Sequence, residues 1–246
     1  MVKKYKRDSE VSYTLGTTLT FELLYNKPDA VTKIYIHPSL KKDETYNKLI
    51  NLCSKHHIDY EEAIKPFNIL SDKDNCYVIG EFKKYDDIVE DTNHVVLVNP
   101  SDAGNLGTIM RSSLGFGLNN LIIIEPAVDN FSPKVIRSSM GARFSINVET
   151  YSSFDDYLKK YPNRNIYTLM LQASVNLSEL ETKQGNYSIV FGNEATGLPR
   201  EFLNIGTPVI IILVGSIAYK SKLLLYFIIS SYSVILYTFW IANFLK

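Results

Sequence analysis

The stretch His94-Val-Val-Leu-Val-Asn-Pro-Ser-Asp-Ala-Gly-Asn-Leu-Gly-Thr-Ile-Met-Arg111 decides how the rest of this chain reads. It opens on an unbroken apolar run, residues 95–98, the pattern of a strand in a sheet covered on both faces. A turn carrying Pro100 and Gly104 follows, and then a helix over residues 106–116. Such strand–turn–helix links bring backbone N–H groups and a helix N-terminus towards a ligand. Gly104 and Gly107 stand three apart, so the turn is not the Gly-x-Gly-x-x-Gly dinucleotide fingerprint. Arg111 lies about one helical turn beyond Gly107 on a helix otherwise lined by Leu106, Ile109, Met110 and Leu114. Taken alone, it reads equally well as a solvated surface cation.

Working outward, a second apolar strand is predicted over residues 121–125, a helix over 133–143, and strands over 165–171 and 187–192. A short helix over 199–203 and a last buried strand over 208–213 complete the pattern. Strands that alternate with helices indicate an α/β fold built on a parallel sheet. Before it, apolar spacing predicts helices over 14–26 and 44–57 and strands over 30–37 and 76–82. The charged run 83–91 reads as a linker, which divides the chain into domains 1–91 and 92–246.

The 246 residues are 46% apolar and 21% charged, which excludes a disordered chain, a collagen repeat or a disulfide-stapled mini-protein. Twenty-six basic residues balance twenty-six acidic ones, so nucleic-acid contact must come from local patches rather than a bulk positive field. Cys53 and Cys76 lack the spacing of a thiolate zinc site, so no metal is expected and a reducing cytoplasm is the simplest setting. The start, Met-Val-Lys-Lys-Tyr-Lys-Arg, has no apolar run behind it and predicts no secretory signal.

A second glycine-bearing turn stands in Ser188-Ile-Val-Phe-Gly-Asn-Glu-Ala-Thr-Gly-Leu-Pro-Arg-Glu201. Here an apolar strand runs into Gly192, then Glu194 and Gly197, before a helix opened by Pro199. A glycine at the carboxyl end of a parallel strand permits close backbone approach to a ligand, although an ordinary strand–turn–helix link would look the same.

The two turns together resemble the SpoU-type RNA 2′-O-ribose methyltransferases of the SPOUT superfamily. The first motif, Asn-x-Gly followed by Arg and Phe-Gly, stands as Asn105, Gly107, Arg111 and Phe116-Gly117. The second, Gly-x-Glu-x-x-Gly-Leu, stands as Gly192, Glu194, Gly197 and Leu198, and Arg137-Ser-Ser-Met-Gly-Ala142 is similar to the segment between them. The resemblance covers roughly residues 93–212. It implies a parallel-sheet SPOUT domain with a trefoil knot, preceded by a small α/β RNA-binding domain of ribosomal-protein type. It further implies methyl transfer from S-adenosylmethionine to rRNA or tRNA, and a homodimer. By the same resemblance Arg111, Asn105 and Glu194 form the catalytic set, with Asn105 and Glu194 holding Arg111 and the loops. Gly192, Asn193, Gly197, Ile210, Ile211 and Ile212 would line the cofactor pocket. Lys3, Lys4, Lys6 and Arg7 are candidate phosphate contacts, and read more simply as a solvated basic terminus.

The far end departs from that family. Its third motif, with Ser-Leu-Asn-Val-Ser, would follow the last strand, yet Ile210-Ile-Ile-Leu-Val-Gly-Ser-Ile-Ala-Tyr-Lys-Ser-Lys-Leu-Leu-Leu225 holds no Ser-x-Asn pair. No acid follows Glu201, and residues 223–245 carry no charge, which makes 208–246 atypical. Three explanations stay open: a membrane anchor, for which a bilayer core needs ~20 apolar residues; a helix buried in an oligomer; or translation of an A/T-rich gene in a shifted frame. Two other functions accordingly remain as alternatives, a non-catalytic RNA-binding protein and a membrane-anchored protein with an apolar C-terminal helix.

Overall fold

Gly16 separates two elements that the apolar spacing of residues 14–26 merges into one. In the computed structural model, which describes residues 2–72, 75–173, 175, 176, 180 and 183–210, Val11–Leu15 is a strand (β1) and Thr17–Asn26 a helix (α1). The glycine between them takes a φ of 126°, which L side chains rarely adopt. The strand is hidden in the sequence because Ser12 and Thr14, polar residues that normally mark a wet face, are both fully buried. Ser12 Oγ donates to the Phe131 carbonyl at 2.5 Å, and Thr14 Oγ1 lies 2.8 Å from Thr20 Oγ1.

The chain forms two compact units, residues 2–85 with Asp129–Ser145, and Asp86–Val128 with residues 146–210. In the first, β2 (Val31–Ile36), α2 (Glu44–Lys55), β3 (Tyr60–Glu62), α3 (Lys65–Leu70) and β4 (Val78–Lys83) follow α1. The four strands form a mixed sheet in the order β1-β4-β2-β3. Asp129–Ser145, placed by the linker argument in the second domain, packs with this unit instead, and with it goes the Arg137-to-Ala142 segment. The cause is aromatic packing: Phe82 meets Phe144 edge-on at 5.4 Å, and the buried Arg143 guanidinium lies 4.2 Å from the Phe131 ring and 5.1 Å from the Tyr85 ring. A desolvated cation over two aromatic faces is held more strongly than one in water.

The second unit runs β5 (His94–Val98), α4 (Ala103–Gly115), β6 (Asn120–Ile124), β7 (Asn147–Tyr151) and α6 (Phe154–Lys160), the intervening α5 (Pro133–Ser138) belonging to the first unit. It continues with β8 (Asn165–Leu169), β9 (Val175–Asn176), β10 (Tyr187–Phe191), a 3-10 turn Arg200–Asn204, and β11 (Thr207–Ile210). All its strand pairs are parallel, in the order β7-β6-β5-β10-β8-β11-β9. The parallel α/β fold is as expected, and β5 and β6 are buried along their whole lengths, as their unbroken apolar runs predict. The apolar spacing gave no sign of β7 and α6, although Ser153 and Asp156 form a capping pair there, with the Asp156 N–H donating to Ser153 Oγ at 3.1 Å. The segment that would close a knot follows Ile210 and lies outside the described residues, as do residues 223–245. Among the described residues no helix is long and apolar enough to cross a membrane.

At the amino end of β5 the His94 ring is fully buried, with Nδ1 3.0 Å from the Tyr157 hydroxyl and Nε2 2.7 Å from the Glu90 carbonyl. Burial lowers its pKa to about 4, and nearby Arg164 acts in the same direction; Glu90, Asp91 and Glu149 oppose them. The ring therefore stays neutral in the folded chain where the unfolded chain, with a histidine of about 6.5, takes up a proton. Stability is full above pH 6.5 and declines as pH falls towards about 4. Urea unfolding at pH 7.5, 6 and 5 is expected to show that decline, and His94→Asn to flatten it; an equal slope in the variant would refute the assignment.

Candidate functional site

The register of β5 against β10 brings the two glycine-bearing turns together. Val95 pairs with Ile189 and Leu97 with Phe191, so the turn after each strand leaves the same edge of the sheet side by side. The chain order reverses here, β6 lying on one side of β5 and β10 on the other. Crevices at such switch points, outside the carboxyl ends of parallel strands, are where α/β sheets take ligands.

The first turn is Asn99 to Asp102. Asn99 sits at φ 54°, in the left-handed region that asparagine tolerates better than most residues. Asp102 caps α4, its carboxylate accepting from the Asn105 N–H at 2.8 Å. Leu106, Gly107, Met110 and Ser113 form the buried face of the helix, which leaves Arg111 exposed. Arg111 makes no hydrogen bond or ion pair among the described residues.

The second turn begins at Gly192, where a side chain has no room: an added Cβ would lie 2.2 Å from both the Gly197 carbonyl carbon and the Leu198 nitrogen. The chain folds back so that Asn193 and Gly197 form an antiparallel bridge, with the Gly197 N–H donating to the Asn193 carbonyl at 2.9 Å. Gly197, at φ 70°, is exposed, while Leu198 is buried in the core beside Val190 and Phe202.

Glu194 joins the turns. Its carboxylate accepts from the Ser101 N–H at 3.1 Å, the Asp102 N–H at 3.2 Å and the Ser101 hydroxyl at 2.8 Å. A charged acceptor with three donors is far stronger than a neutral link, and its place at the entry of α4 is favoured by the helix dipole. Asn193 adds a bond from Nδ2 to the Asn99 carbonyl at 2.8 Å.

Glu194 holds the loops, but neither it nor Asn105 hydrogen-bonds to Arg111; Asn105 and Arg111, six residues apart, project about 120° from each other around the helix. Ser101, Asp102 and Asn99 are site residues that the motif comparison passes over. Only Asp102 carries a sequence signal, as a helix cap three residues ahead of Asn105.

On the far side of β10, β8 and β11 are its next neighbours. Their carboxyl ends bring Leu171, 63% exposed, and half-buried Ile210 to the edge that also carries Phe191 and Gly192. Ile211 and Ile212 lie outside the described residues. Uncharged side chains beside main-chain donors and acceptors suit an adenosine moiety, whose faces are apolar and whose edges hydrogen-bond.

Residues 92–218 match the family model of the SpoU rRNA Methylase family. The chain is 30% identical over 115 residues to an uncharacterised tRNA/rRNA methyltransferase of Synechocystis, covering 46% of this chain and 42% of the relative. It is 30% identical over 104 residues to the Bacillus subtilis 23S rRNA (guanosine(2553)-2′-O)-methyltransferase RlmP, covering 42% of this chain and 41% of that protein. The matches thus span about two fifths of these relatives. In fold the chain is similar to the SpoU methyltransferase AviRb from Streptomyces viridochromogenes, solved with AdoMet, with a TM-score of 0.75 at 18% identity over 93% of this chain and 89% of that one.

Proposed function

The chain belongs to the SpoU rRNA methylase family, and from that membership we propose that it is an RNA ribose 2′-O-methyltransferase using S-adenosylmethionine on ribosomal or transfer RNA. The observation that carries this reading is the Glu194 carboxylate on the Ser101 and Asp102 amides, which draws both motif turns into one edge, while Arg111, on the exposed face of α4, has no hydrogen-bond or ion-pair partner among the described residues.

S-adenosylmethionine supplies an electrophilic methyl group when bound. The main chain at Gly192 and the side chains of Leu171 and Ile210 would hold its adenosine part. The task left to the chain is to align a ribose hydroxyl with that group and to ease loss of the proton. A guanidinium carries five donors and no acceptor, so Arg111 is not an ordinary base. Its part is to donate hydrogen bonds to the 2′-oxygen and stabilise the charge that grows there as the proton leaves for solvent or a substrate phosphate.

The first unit, with exposed Lys3, Lys4, Lys6 and Arg7, is the proposed RNA-binding part. The proposed assembly is a homodimer in the cytoplasm, a setting that fits the free, buried thiols of Cys53 and Cys76.

The test follows from the chemistry of the product. A methylated 2′-oxygen cannot attack its neighbouring phosphodiester in alkali, so label from methyl-labelled S-adenosylmethionine should appear in alkali-stable dinucleotides of total RNA. Label released in mononucleotides would mean base methylation and overturn the reading. RNA binding without labelling, and without S-adenosylmethionine binding in calorimetry, would establish the non-catalytic alternative.

A further inference from the structure

The Asn193 side chain is fully occupied by the protein itself. Its Nδ2 donates to the Asn99 carbonyl at 2.8 Å and to Ser101 Oγ at 3.2 Å, and Glu194 Oε2 stands 3.4 Å away. Its Oδ1 accepts from the Ala195 N–H at 2.9 Å and the Thr196 N–H at 3.2 Å. A carboxamide offers two donor hydrogens and two acceptor lone pairs, so nothing remains for a ligand. Ser101 Oγ, in turn, accepts from Asn193 and donates to Glu194.

We propose that Asn193 is a positioning residue and not a cofactor ligand: with Ser101 and Glu194 it forms a latch between the turn after β5 and the turn after β10, and that latch sets the crevice for the methyl donor. The proposal rests on the methyltransferase reading only for the identity of that donor. Asn193 spans both turns through one rigid group. Glu194 holds the first turn by its amides, but its own orientation depends on Ser101, which Asn193 holds. The charged groups at the latch are Glu194 and, on the adjoining turn, Asp102.

The test is Asn193→Asp in the full chain. The substitution keeps the shape, removes the Nδ2 donor and sets a second carboxylate against Glu194, so one of the two must take a proton before the turns can close. Calorimetry should show S-adenosylmethionine binding weakened about tenfold or more at pH 8 and recovering towards the wild-type value near pH 5.5, while the wild type stays within about threefold over that range. Ser101→Ala should weaken binding a few-fold, and Ser101→Thr should restore it. Undiminished binding by Asn193→Asp at pH 8, or a loss that is the same at every pH, would overturn the latch.

A ligand-free measurement separates this outcome from failure of the methyltransferase reading. The Ser101 and Asp102 amides are bonded to Glu194 rather than to Asn193, yet a latch requires Asn193→Asp to speed their hydrogen exchange at pH 8, while the substituted carboxylate still accepts from the Ala195 and Thr196 N–H groups. Unchanged exchange at Ser101 and Asp102 would overturn the proposal. If the wild type binds no S-adenosylmethionine, the methyltransferase reading fails, and the exchange result alone decides the latch.

Discussion

Arg111→Ala is expected to lower the rate of methyl transfer by about a hundred- to a thousand-fold while leaving S-adenosylmethionine affinity within a few-fold of wild type. The split follows from the location of the side chain. Arg111 is on the exposed face of α4, clear of Gly192, Asn193 and Glu194, and the helix is held by its buried face and by the Asp102 cap. Truncating an exposed side chain with no partner among the described residues removes neither packing nor a cap, so the unfolding midpoint should not move. Arg111→Lys keeps the charge but loses the planar fork of donors, and is expected to recover only a small part of the rate. Single-turnover kinetics with saturating cofactor would check this. Transfer by Arg111→Ala at the wild-type rate would remove the residue from the catalytic set.

The second large effect is steric. Gly192→Ala would place a Cβ 2.2 Å from the Gly197 carbonyl carbon and the Leu198 nitrogen, and 2.5 Å from the Gly197 oxygen. These are backbone atoms, which cannot rotate aside, so the turn must open and give up the Asn193–Gly197 bridge. Overpacking of this kind costs about 3 kcal/mol or more. S-adenosylmethionine binding is expected to fall below detection, with a lower thermal midpoint. Gly115→Ala is the matched control: nothing lies within 4 Å of a Cβ there, and alanine favours a helix over glycine, so that variant should be as stable as wild type or slightly more so. Equal affinity of Gly192→Ala and wild type for S-adenosylmethionine would show that this turn does not shape the cofactor crevice.

Legibility in the sequence followed burial chemistry. β5, β6 and β10 were readable because strands covered on both faces need unbroken apolar runs, and Val95 to Val98 or Leu121 to Ile124 satisfy nothing else at that length. β1 was not readable: Ser12 and Thr14 face the interior and are satisfied by Phe131, Thr20 and Gly80, partners that no local pattern announces. α5 and the residues after it show the same limit. Their helical start at Pro133 is visible, but the unit they join depends on Phe131, Arg143 and Phe144 meeting Phe82 and Tyr85, far away in the chain.

The sequence by itself determined the α/β class, the parallel sheet and the two turns that carry the motif residues, because hydrophobic period and glycine placement are local properties. It also identified Arg111, Asn105, Gly192 and Glu194 as residues of interest. What Glu194 does was decided only by the tertiary structure. Parallel pairing of β5 with β10 puts its carboxylate on the amides of Ser101 and Asp102, more than ninety residues away, and so fixes which groups it bonds. Spacing along a chain constrains which residues share a helix face or a strand face, but a contact across the sheet depends on strand order and register, which the whole fold sets.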